Sequence, residues 1–161
     1  MHVRDSFAGE EAELRRVFLS SVHELARGFY TQEQLDAWAP REHDARQWAD
    51  RIAALRPFVA TIDGEVAGYA DLQGSGHIDH FFVSGRFRGR GVGSALMGHL
   101  HRVAGQRCVP ELSAHVSLAA EAFFVKHGFS VMQRQSVVAN GVSLDNAVMR
   151  KPLSMAGRSG S

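Results

Sequence analysis

Between Val83 and Met97 the chain reads VSGRFRGRGVGSALM, and this stretch limits what can be built around it. Gly89, Gly91 and Gly93 alternate with Arg88 and Arg90, Arg86 stands just before them, and an apolar run with helical spacing follows at once. Upstream lies HIDHFFV, a run rich in β-forming residues. A strand therefore turns into a helix across a segment with little side-chain bulk. Glycine admits left-handed backbone and lets N–H groups approach a ligand with no Cβ in between. If a helix begins near Gly91, its first amides lack intrahelical partners and its dipole is positive there. The combination suits a phosphate or diphosphate. Arg88 and Arg90 add charge, and Ser94 adds a hydroxyl. Two known phosphate motifs do not fit. The dinucleotide pattern G-x-G-x-x-G/A ends on Ser94 or Leu96, and no Gly-Lys pair exists for a Walker loop.

The flanking sequence gives the setting. From Glu10 to Ala26, Leu14, Val17, Phe18, Leu25 and Ala26 recur at helical spacing around Arg15, Arg16 and Glu24. Thr31 with Gln34 forms a capping-box pattern for a second helix that Pro40 stops. His43 to Leu55 reads as a third, with Trp48, Ile52 and Leu55 on one stripe. Asp63-Gly64 and Asn140-Gly141 sit between β-rich runs and predict tight hairpins. HIDHFFV and ELSAHV read as single strands, and Leu118 to His127 as a helix. The order predicts an α/β (α+β) domain with a mixed, mostly antiparallel central sheet of six or seven strands flanked by helices.

Composition bounds the rest. The 161 residues suit one domain, read as residues 1–153, with the small, polar end from 154 to 161 read as a disordered tail or expression remnant. Net charge is +1, so no basic footprint points to nucleic acid. No apolar run has a membrane-span length, and Met1 to Gly9 lacks a signal-peptide core, so a cytoplasmic protein is expected. The single Cys108, read as a partly buried thiol, excludes an internal disulfide and a cysteine-clustered zinc site. His99 and His101 point to different helix faces, so no metal is expected.

RGRGVG resembles the R/Q-x-x-G-x-G/A signature of the GNAT-type N-acetyltransferases, at Arg88, Gly91 and Gly93. SLAAEAFFVKHGF resembles that family's second landmark, N-x-x-A-x-x-F-Y-x-x-x-G-F. Ala120, Phe123, Gly128 and Phe129 match, while Ser117 replaces the Asn and Phe124 the Tyr. YTQEQLDAWAP is further similar to a small bacterial YafP-like branch. The resemblance covers nearly everything to Leu153. It implies a fold with a splayed cleft and acetyl-CoA as acyl donor. Its diphosphate would lie on the loop of Arg88, Gly89, Arg90, Gly91, Val92, Gly93 and Ser94. Its pantetheine would run along Phe81, Phe82 and Val83, with Ser117, Ala120 and Phe124 alongside.

The implied reaction is direct acetyl transfer to the amine of a small-molecule or amino-acid-like acceptor. It needs a group to take the amine's proton, a grip on the thioester carbonyl and an outlet for the leaving thiolate. Strand alternation puts Val83, Phe81, Asp79 and His77 on one side and Phe82, His80 and Ile78 on the other. The resemblance places acid–base residues at Asp79 and His77, and either order of roles fits. Phe124 has no hydroxyl for the thiolate, which leaves His115, His127 or Tyr69 as donors, or none. The first helices are expected to cover the acceptor, with Tyr30 and Trp38, beside Phe29, as an aromatic wall. Two other readings stay open. One is a catalytically weak acyl-CoA-binding sensor; the other is an acylator of a macromolecular amine, protein or aminoacyl-tRNA. A homodimer paired through the final hairpin also stays open.

Overall fold

Both hairpin turns form as their dipeptides require. In the computed structural model, which describes residues 1–154, Asp63 and Gly64 have φ of 50° and 80°, and Asn140 and Gly141 of 46° and 80°. Positive φ at both positions is the type I′ geometry that matches strand twist. The first turn joins β2 (Phe58–Ile62) to β3 (Glu65–Ala70), and the second joins β7 (Ser130–Ala139) to β8 (Val142–Pro152). The tail reading concerns residues that, past Ser154, lie outside the described ones.

The remaining strands are β1 (His2–Asp5), β4 (His77–Ile78), β5 (Phe81–Val83) and β6 (Glu111–Ser117). The helices are α1 (Glu11–Ser20), α2 (Gln32–Trp38), α3 (Ala45–Leu55), α4 (Val92–Gln106) and α5 (Glu121–Lys126). α1 continues through a π-helical turn, Ser21–Leu25. The Thr31–Gln34 capping box opens α2, and Asp44 caps α3 through the amides of Arg46 and Gln47.

Two four-stranded sheets replace the single sheet of six or seven strands. One runs β1-β2-β3-β5 and the other β4-β6-β8-β7; every pairing is antiparallel except β4 with β6. The difference has one cause. HIDHFFV is two strands, because the chain breaks at Asp79–His80 and passes from the second sheet to the first. In a regular ladder the His80 N–H would return to the Asp71 carbonyl. Instead the fully buried Asp71 carboxylate accepts it through Oδ1 at 2.6 Å, together with the Asp79 N–H at 2.9 Å. The same carboxylate accepts from Gln73 Nε2 through Oδ2, and Asp71 N–H donates to His80 O at 3.1 Å. Burial pushes the Asp71 carboxyl above the usual range, and the three donors pull against that shift.

Both faces of the first sheet are covered. Phe58, Ala60 and Ile62 face α4 through Leu96, Met97 and Leu100, whereas Val59 and Tyr69 face α1 and α3 through Leu14, Val17, Phe18, Trp48 and Ile52. Each fully buried Leu contributes roughly 1.5–3 kcal/mol of hydrophobic stabilisation. α4 lies so close on β3 that a Cβ on Gly68 would come within 2.9 Å of Val92 Cγ1. One burial expectation is corrected. Cys108 is exposed, because the chain turns outward after α4 with φ 55°. Arg15 is only 7% exposed, because α3 and the segment after α2, at Pro40, close over that side of α1.

Asp71→Leu would strand two buried amides, at about 1–3 kcal/mol each. Urea denaturation should show a loss of at least about 2 kcal/mol, and Asp71→Asn, which keeps an acceptor oxygen, should lose less than half of that. Equal losses in the two variants would contradict the role given to the carboxylate.

Candidate active site

The glycine loop forms as a one-turn 3-10 helix, Gly85–Phe87, then two left-handed glycines. Gly89 has φ 75° and Gly91 φ 80°, and α4 starts at Val92. The Arg88 and Arg90 amides are spent inside the turn, on Gly85 O at 3.2 Å and Phe87 O at 3.2 Å. The first α4 bond to the loop is Ala95 N–H to Gly91 O at 3.0 Å. The amides of Gly89, Gly91, Val92, Gly93 and Ser94 have no hydrogen-bond partner among the described residues. Arg88 and Arg90 thus bring side-chain charge only, while the other five bring amides. A Cβ on Gly91 would meet nothing within 4 Å, so its requirement is the positive φ, not space. Gly93 is different: a Cβ there would approach Phe123 Cε1 to 3.0 Å.

Gly93, one of the five residues with unpaired amides, lines the gap between the two sheets. β4 leaves β6 after the Ile78–Ala114 pair, and β5 pairs with β3 alone. Ser84 N–H bonds to Ala67 O and Asp71 N–H to His80 O, so the alternation makes Tyr69–Phe82 the hydrogen-bonded pair between them. Phe81 and Val83 then turn their own N–H and C=O groups away from β3, toward the gap. A cleft of about 180 Å³ lies there, lined by Phe81, Phe82, Val83, Gly93, Ser117, Ala120, Phe123 and Phe124, and by Trp38. The π-helical turn adds Ser21 and Leu25, a contribution that periodicity alone could not reveal. Phe124 is buried against Phe81 and Phe129, with ring centroids 5.6 Å and 4.9 Å away. The Ser117 hydroxyl accepts from Ala120 N–H at 3.2 Å and so shapes the entry to α5.

A narrower pocket of about 50 Å³ continues the cleft past Asp79 and His115. A larger cavity of about 680 Å³ lies beyond, lined by α1, α3 and the segment that joins α2 to α3. Trp38 and Phe82 line all three spaces, and Asp79 lines the last two. Asp79 therefore stands where cleft and cavity meet. Its carboxylate is 3.3 Å from Arg51 Nη2, in a pair that is 42% and 56% exposed and worth little for stability.

The alternation expected along HIDHFFV is lost at the break, and the histidines change places accordingly. His80 lines the large cavity. His77 lines none of these spaces; its Nδ1 is 3.0 Å from Ser113 Oγ, and its ring is 5.3 Å from that of His115. Burial lowers the His80 pKa to about 4, so the ring is neutral at neutral pH. Arg51 Nε–H donates to His80 Nε2 at 3.2 Å. The ring proton is therefore on Nδ1, which donates to the Tyr69 hydroxyl at 3.0 Å. Tyr69 is fully buried, and desolvation raises its pKa well above normal.

The other expected residues fall as follows. Tyr30 is buried behind Trp38 with ring centroids 5.7 Å apart, and it lines none of the three spaces. Its hydroxyl donates to Asp145 O at 2.6 Å and accepts from Leu118 N–H at 2.9 Å. Phe29 is exposed. His127 sits beside the loop, 3.5 Å from Ser94 Oγ. Of the three suggested donors only His115 lines the narrow pocket. Asp71, Arg51 and Arg15 were not singled out, because each acquires its place through contacts distant in sequence.

A family model described as an acetyltransferase (GNAT) domain matches residues 27–151. The chain is 29% identical over 150 residues to an uncharacterized N-acetyltransferase, YafP, of Escherichia coli strain K12, covering 93% of this chain and 95% of that one. A solved GCN5-related N-acetyltransferase from Rhodopseudomonas palustris superimposes with a TM-score of 0.90 at 34% identity, over 94% and 95% of the two chains. YncA of Salmonella typhimurium, solved with acetyl-CoA, has the same fold, with a TM-score of 0.68 at 19% identity, over 96% and 94%.

The buried neutral His80 makes stability depend on pH. Its folded pKa of about 4 lies below the ordinary histidine value of 6.5, so its contribution is complete above 6.5 and is lost as pH falls toward 4, where the unfolded chain takes the proton first. Chemical denaturation across this window should show a fall that His80→Gln reduces. A variant with an unchanged slope would contradict the neutral, buried ring.

Proposed function

The chain belongs to the GNAT acetyltransferases, and from that membership we propose that it moves an acetyl group from acetyl-CoA to the amine of a small acceptor by direct transfer. The observation that carries this reading is the continuity of three features: unpaired loop amides, an apolar cleft, and an acceptor cavity joined to it at Asp79, Trp38 and Phe82. The cleft residues suit the donor. The amides of Gly89, Gly91, Val92, Gly93 and Ser94 offer donors to a diphosphate, with Arg88 and Arg90 as side-chain charges. Phe81 and Val83 offer backbone groups to an extended pantetheine arm. Bound acetyl-CoA supplies the acetyl group already activated as a thioester.

The chain supplies positions and protons. Asp79 faces the incoming ammonium and accepts its proton, directly or through water. Arg51 holds Asp79, and neutral His80 holds Arg51 by accepting from its Nε–H. Trp38 and Phe82 narrow the passage and exclude water from it. His115 is, with Asp79, the titratable side chain lining the narrow pocket among the described residues, so it is the donor best placed for the leaving thiolate. His77 takes a positioning part in this scheme, through Ser113 and His115. Phe124 favours a second reading, a weak acyl-CoA-binding sensor, because it gives an apolar wall where a hydroxyl acid would serve.

CoA release measured with acetyl-CoA and an amine panel separates the two. The transferase reading expects turnover. Asp79→Ala should lower kcat/KM by about 100-fold or more near neutral pH, with acetyl-CoA affinity within about twofold. Tight acetyl-CoA binding with no turnover on any amine would favour the sensor. Gly91→Asp sets a carboxylate beside the amides in a backbone region that Asp tolerates better than most residues. Calorimetry should show CoA affinity falling more than about tenfold, or 1.4 kcal/mol, and falling less in Gly91→Asn. Unchanged affinity in Gly91→Asp would remove the loop from the site.

A further inference from the structure

The large cavity contains a cation with no counter-charge. Arg15, on α1, lines it while being only 7% exposed. Its guanidinium lies over the rings of Trp48 and Phe18, at 4.8 Å and 5.2 Å from the centroids. One terminal nitrogen, Nη2, donates to Pro40 O. Nε is buried with no hydrogen-bond partner, and no carboxylate forms an ion pair with Arg15 among the described residues. The acids that share the cavity are engaged or apart: Asp79 pairs with Arg51, Asp44 caps α3, and Glu42 is exposed. Desolvation makes it easier for Arg15 to lose its proton, yet a guanidinium stays charged in proteins. A buried, unpaired charge is costly, and an anion entering the cavity would supply the missing pair. Arginine's planar fork is suited to carboxylate and phosphate-like groups.

We propose that Arg15 is a specificity residue, an anion anchor in the acceptor cavity, and that the acceptor amine carries a carboxylate or phosphonate-like group. This rests on the transferase reading for the amine end. An amino acid then spans the cavity with its anionic group on Arg15 and its ammonium at Asp79, beside Trp38 and Phe82. The stacked Trp48 and Phe18 hold the guanidinium plane in place, so little ordering is left for the ligand to impose.

The test uses calorimetry on the full chain saturated with CoA. The probes are matched sets: amino acids, their primary amides, and the corresponding aminoalkylphosphonates. At least one anionic member should bind about tenfold or more tightly than its amide, and the phosphonate and carboxylate arms tell which anion fits. Arg15→Met should reduce that gap to under twofold while leaving amide binding and CoA affinity unchanged. Arg15→Lys should keep part of it. The unliganded melting temperature of Arg15→Met should hold or rise, because the variant removes an uncompensated buried charge; a purely structural arginine would lower it. Equal binding of anionic and neutral probes by the wild type, or a gap that survives in Arg15→Met, overturns the proposal. An Arg15-dependent gap without turnover on any amine would sink the transferase reading and leave the anion subsite standing. Turnover of neutral and anionic amines alike would do the reverse.

Discussion

A single carboxylate decides where this molecule opens. Asp71 takes the N–H groups of Asp79 and His80 out of the ladder, and the strand that would have continued the sheet breaks between them. Without the break, HIDHFFV would pair along its length with the strands on both sides, and the interior would be closed. With it, β4 stays with β6 while β5 leaves with β3. The edge groups of Phe81 and Val83 are left facing a cleft instead of a neighbouring strand. Burying a carboxylate is expensive, and three donors aimed at one side chain offset that cost.

The same break sets the charged end of the site. Asp79 follows Ile78 out of one sheet and emerges where cleft and cavity meet, while His80 turns inward beneath Arg51. With Tyr69 on one nitrogen and Arg51 on the other, the neutral imidazole has both ring nitrogens engaged. At the opposite end, the loop's positive φ angles at Gly89 and Gly91 leave five amides without partners. A strand break and a pair of left-handed glycines, ten residues apart, thus define the two ends of one path.

Local signals were legible in the sequence. Asp63-Gly64, Asn140-Gly141 and the Thr31–Gln34 box name their own turns and cap because the chemistry is complete within four residues. The glycine loop belongs with them, since left-handed glycines before a helix leave amides unpaired whatever surrounds them. The split of HIDHFFV was not legible. Its cause is Asp71, which acts eight and nine residues further on. Nor is the burial of Arg15 legible from α1 alone; α3 and Pro40 are what bury it. Tyr30 reads as a wall residue, yet its hydroxyl is fixed by Asp145 and Leu118, more than eighty positions away.

The path from loop to cavity is best tested by a crystal structure of the complex with acetyl-CoA. The account predicts the diphosphate within about 2.7–3.2 Å of several of the amides of Gly89, Gly91, Val92, Gly93 and Ser94. It also predicts the pantetheine lying between β5 and β6, with the thioester at the passage between Asp79 and Trp38. A diphosphate bound elsewhere, or a gap between the sheets that stays empty while the donor lies outside it, would contradict the account.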